Sequence, residues 1–67
     1  MVKIDWVRIE TAMAKRDLTH EKLAAQMGVK LETLKRYLIT GQASYWAARQ
    51  IARVLNVSIF DFVKLRR

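Results

Sequence analysis

The sequence has no cysteine and no proline among its 67 residues, and only two glycines, Gly28 and Gly41. Without cysteine, neither a disulfide nor a thiolate metal site can staple so short a chain. The single histidine, His20, has no clustered carboxylate beside it, so no metal site is expected. Breakers this rare argue against a turn-rich β fold and for helices joined by short connections. No apolar run approaches the roughly 18 residues of a membrane span. The first residues, M-V-K-I-D-W, lack the continuous apolar core of a signal peptide. A soluble, cytoplasmic protein is the expectation. A phosphate-cradling glycine-rich loop and a convincing carboxylate pair are missing too, which makes an enzyme the least favoured class. No cofactor or small-molecule ligand is expected.

What is abundant is positive charge. Thirteen Lys and Arg stand against six Asp and Glu, a formal net charge of +7. Such a surplus suggests a polyanionic partner. The plainer alternative is solubility, since small domains commonly carry about 2–8 charges. A chain of this length is one domain and buries only about 60% of the surface it exposes when unfolded. Helices around a single core are the expected solution.

Residues 1–4 read as a loose lead-in. Asp5 caps a first helix of about Trp6 to Lys15, whose inward positions are Trp6, Ile9, Ala12 and Met13. Thr19 caps a second helix, with Leu18 and Leu23 as its hydrophobic staple. The same pairing recurs as Val29 with Leu34 and as Val57 with Phe62, although Lys30 makes a poor N-cap for the third helix. Gly28 suits the left-handed conformation that ends a helix abruptly. The stretch I-T-G-Q-A after Leu38 is the most loop-like of the chain. Ser44 opens a fourth helix of about Tyr45 to Leu55, with Ala48, Ile51, Ala52 and Leu55 inward, and Asn56 ends it. Ser58 and Asp61 open a last helix of about Ile59 to Leu65, after which the tail frays.

The run L-T-H-E-K-L-A-A-Q-M-G-V at 18–29, the apolar positions Leu34 and Tyr37, and the block I-A-R-V-L-N-V-S-I-F-D-F at 51–62 carry a family resemblance. From about Ile9 to Val63 the chain resembles the Cro/C1-type helix-turn-helix domain of phage repressors and related bacterial regulators. That resemblance implies an all-α fold, a compact five-helix bundle of the lambda-repressor-like type with its helix-turn-helix at about 19–39. It implies a sequence-specific regulator of transcription in the bacterial cytoplasm, reading the major groove of double-stranded DNA with its third helix. The chain departs from the family in having His20 where glutamine is usual. It also lacks the acidic residue and spacing that close the third helix in relatives, so the following connection is expected to be one residue longer.

Candidate base readers are Lys30, Leu31, Glu32, Lys35 and Arg36 on the third helix. Arg is the commonest bidentate reader of guanine, Leu31 can meet a thymine methyl, and Glu32 can accept from cytosine N4 or serve its helix's positive end. Candidate phosphate donors are Thr19, His20, Thr33, Thr40 and Gln42; for Thr19 capping is the favoured role. Tyr37 counts as packing, and Trp46 is either core or a partner contact. Ile59, Phe60, Phe62 and Val63 cannot all be buried by one short helix, so they are expected to form a homodimer interface matching a palindromic operator. Two other readings stay open at this level. One is the antitoxin or accessory component of a toxin operon, and the other is a protein–protein module with no role on DNA.

Overall fold

A computed structural model describes residues 1–64. Four α-helices and a small antiparallel sheet follow in the order β1 (Val2–Ile4), α1 (Trp6–Lys15), α2 (His20–Met27), α3 (Leu31–Thr40), β2 (Gln42–Ala43), α4 (Tyr45–Leu55), a 3₁₀ turn (Ile59–Asp61) and β3 (Val63–Lys64). The protein is mostly helical, as expected, but it is not a five-helix bundle.

Each helix begins on a short polar cap where the sequence offers one. Asp5, Thr19 and Ser44 accept from the backbone N–H groups of Arg8, Lys22 and Ala47. Lys30, at the start of α3, makes no side-chain cap. Each helix is followed within two residues by one with positive φ: Asp17 (56°), Gly28 (77°), Gly41 (68°) and Asn56 (55°). Two of these are glycine, and Asp and Asn are the side chains that tolerate this region best.

Three of the corners share one hydrogen-bond pattern. The N–H groups of Leu18, Val29 and Val57 each reach back 3.0 Å to the carbonyls of Met13, Ala24 and Ala52. In each corner that apolar residue tucks against the core, and the next residue is the N-cap of the following element. This is the Schellman closure, in which the residue after the left-handed one covers the helix end.

Every buried side chain among the described residues is apolar. Ile9 of α1, Leu23 of α2, Leu34 of α3 and Ile51 and Leu55 of α4 are the large, fully enclosed members. Burying a side chain of this size contributes about 1.5–3 kcal/mol. Small residues, Ala24 on α2 and Ala47, Ala48 and Ala52 on α4, let these two helices approach closely. Arg53 adds a tie between them by donating to the Gln26 carbonyl at 3.4 Å.

Two expectations are corrected. Residues 1–4 are not a loose lead-in, because Val2–Ile4 is the central strand of the sheet, paired with β2 on one side and β3 on the other. The last segment is not a helix of about Ile59 to Leu65, because its single 3₁₀ turn gives way to β3 at Val63. A short apolar run suits helix or strand, and here the free edge of β1 supplies the ladder partners that decide it. The frayed tail expected beyond Lys64 lies outside the described residues.

Candidate nucleic-acid interface

Helix α3 turns one side to the core and the other to solvent. Leu34 is fully buried, and Leu31, Tyr37 and Leu38 are half-buried beside it. Glu32, Lys35, Arg36 and Ile39 are exposed. These four stand at i, i+3, i+4 and i+7, which is one continuous stripe of a 3.6-residue helix. Lys30 is exposed at the head of the same helix. The ion pairs formed among the described residues are Arg8 with Asp5 and His20 with Glu10, so Lys30, Lys35 and Arg36 have no carboxylate partner there. Three unpaired cations and one carboxylate therefore face outward from a helix whose inner face is locked.

The corner that presents this stripe is built from Gly28, Val29 and Lys30. Gly28 adopts φ 77° and ψ 27°, and its N–H closes on the Ala25 carbonyl at 3.1 Å. Val29 is half-buried in the angle between α2 and α3. Lys30 sits where the helix dipole is positive and gains nothing from capping. A cation kept at so unfavourable a helix position is consistent with use by an anionic partner.

The remaining sequence candidates separate by what already occupies them. Leu31 is half-buried on the core side, so it presents only part of its side chain outward. Thr33 is half-buried on the flank of α3. The Thr19 hydroxyl accepts from the Lys22 N–H at 3.1 Å, the favoured capping role. His20 does not project freely: its Nε2 lies 3.2 Å from Glu10 Oε1, and its ring meets Trp6 at 5.7 Å between centroids. That contact ties the start of α2 to α1. The Thr40 hydroxyl is engaged with the Arg36 carbonyl at 2.9 Å and with the backbone of Gln42. Gln42 is exposed on β2.

The expected interface cluster does not hold together on the surface. Phe62 is 2% exposed and belongs to the core, which corrects its assignment as an interface residue. Ile59 and Val63 are half-buried against that core, and Phe60 is 69% exposed. The cause is the change from helix to strand. With only a 3₁₀ turn at 59–61, Phe62 can swing inward as the staple partner of Val57.

Sequence reasoning missed one feature of this face. Ile39 is 86% exposed on the stripe of Glu32, Lys35 and Arg36, and counting seven residues on from Glu32 would have placed it there. Tyr45 and Trp46, on the first turn of α4, are both exposed, with the Arg49 guanidinium 5.9 Å from the centre of the Tyr45 ring. Trp46 is thus not a core residue.

Among the described residues no helix is long and apolar enough to cross a membrane, and no three His, Cys, Asp or Glu groups gather as a metal site would require. No family model matches the chain, and no curated protein or solved structure matches it at a significant level.

Proposed function

We propose that this protein is a sequence-specific, double-stranded DNA-binding regulator of transcription, a Cro-like repressor acting in the cytoplasm without catalysis. The observation that carries the reading is the outward stripe of α3: Glu32, Lys35, Arg36 and Ile39, headed by Lys30, with its cations unpaired among the described residues. Helices α2 and α3 then act as a helix-turn-helix, and α3 enters the major groove. Lys30, Lys35 and the overall charge of +7 supply phosphate attraction, which sets affinity and its salt dependence. Arg36 reads guanine through two parallel hydrogen bonds, and Glu32 accepts from cytosine N4. Ile39 takes the apolar role, against a thymine methyl, in which Leu31 is only half available. The protein binds as a two-fold pair on a palindromic site, and Phe60 is the exposed apolar residue of its last segment that such a pair would cover.

Selection of bound sequences from a random duplex pool tests the reading, because a recovered palindrome reports base choice and pairing together. On the selected site, Arg36→Ala should cost about 1–3 kcal/mol and relax the preference at one base pair. An equal loss on the selected site and on random duplex would refute base reading by Arg36. Recovery of no enriched sequence would refute the function.

A further inference from the structure

The outer face of the sheet carries a feature that α3 does not explain. The ladder sets Lys3 of β1 opposite Lys64 of β3, and the same Lys3 opposite Gln42 of β2. Directly paired residues of an antiparallel ladder point to the same side, and successive residues alternate. Ile4 and Ala43 are buried and Val2 and Val63 half-buried, so the inner side is theirs. Lys3, Gln42 and Lys64 are exposed and form one row across the outer side.

Two like charges directly opposite each other destabilise a sheet. The cost falls here on a ladder whose outer strands are only two residues each. Among the described residues no carboxylate lies in ion-pair range of either lysine, since Asp5 is held by Arg8, and Asp61 shares a shallow groove with Lys64 without bonding to it. Protection of an exposed sheet edge accounts for a lysine on β3. It does not account for one on the central strand.

We propose that this row is a second polyanion-binding surface, in which Lys3 and Lys64, with Gln42 beside them, hold the phosphate backbone next to the segment read by α3. The proposal rests on the DNA-binding reading above and extends its footprint. The row begins where α3 stops: Gly41 closes the helix, Gln42 is the next residue, and the Gly41 carbonyl accepts from the Ile4 N–H at 3.0 Å. The row thus adjoins the C-terminal end of α3. Across three strands the row spans roughly 10 Å, two interstrand steps. That width suits successive phosphates of a chain better than a single free phosphate. A phosphate lodged between the lysines would also cancel the repulsion that the free protein carries.

The test uses the full chain with Lys3→Gln, Lys64→Gln and both together, and with Lys64→Arg as the charge-conserving control. Free of ligand, each Gln variant should melt at or above the wild-type temperature, because repulsion is removed. On a random-sequence duplex, the slope of log affinity against log salt should shrink by about 0.9 per lost contact, and by about 1.8 in the double variant. Lys64→Arg should keep the wild-type slope. A double variant with an unchanged slope would overturn the proposal, and so would a slope lost equally in Lys64→Arg. Failure of the α3 reading is recognised separately, by a wild-type protein that binds no duplex. In that case inorganic polyphosphate decides. A rise in melting temperature present in wild type and absent in the double variant upholds the surface, whereas equal shifts, or none in either, refute it.

Discussion

Replacing Gly28 by alanine isolates the conformational cost of the corner between α2 and α3. Gly28 sits at φ 77°, and a Cβ built there meets nothing within 4 Å. No steric term from neighbours therefore enters, and only the backbone region matters. Holding an L-residue in the left-handed region costs about 1–2 kcal/mol. Alanine also restricts the unfolded chain relative to glycine, which offsets about 0.4–1 kcal/mol. The net loss should be about 1 kcal/mol, a drop of about 4–8 °C in melting temperature for a domain of this size. Asn56 holds the equivalent corner after α4 at φ 55° and ψ 46°, so Gly28→Asn should lose less than half as much. Thermal unfolding followed by far-ultraviolet circular dichroism, with all variants at one concentration, measures both. A loss above about 3 kcal/mol for alanine, a size typical of core disruption, would mean that position 28 is not open. Asparagine as damaging as alanine would refute the conformational explanation.

Lys30→Ser supplies the missing cap of α3 and should raise stability by about 0.5–2 kcal/mol while weakening duplex binding; a fall in both melting temperature and affinity would contradict a lysine retained for an anionic partner. Ile39→Ser should leave the melting temperature within about 4 °C of wild type, because exposed substitutions rarely exceed about 0.5 kcal/mol, yet lower affinity for the selected DNA site more than for random duplex, as read by paired binding titrations. Phe60→Asp should keep the fold and reduce the mass seen by sedimentation if the exposed ring lies in a dimer contact, whereas Phe62→Ala should cost about 3–5 kcal/mol in chemical denaturation. Identical sedimentation of Phe60→Asp and wild type at all concentrations would remove Phe60 from the interface.

Helices α1 to α4 and their caps are legible in the chain because each is a local matter. Asp5, Thr19 and Ser44 cap backbone groups within three residues, and Gly28 and Asn56 end their helices through their own φ preference. The stripe of Glu32, Lys35 and Arg36 is equally local, since helical periodicity alone puts those residues on one side. The outward face of α3 was therefore determined by the sequence by itself.

The sheet was not. Val2–Ile4 and Val63–Lys64 are too short to carry a period of two, and they stand at opposite ends of the described chain, so only the folded core brings them together. That pairing also turned Phe62 inward, freed Phe60 and set Lys3 opposite Lys64. His20 met Trp6 and Glu10 for the same kind of reason, because the angle between α1 and α2 is set by core packing and not by either helix. Helical order here is written in neighbours along the chain, whereas strand partners and surface pairings depend on residues far apart in sequence, which only tertiary packing can place side by side.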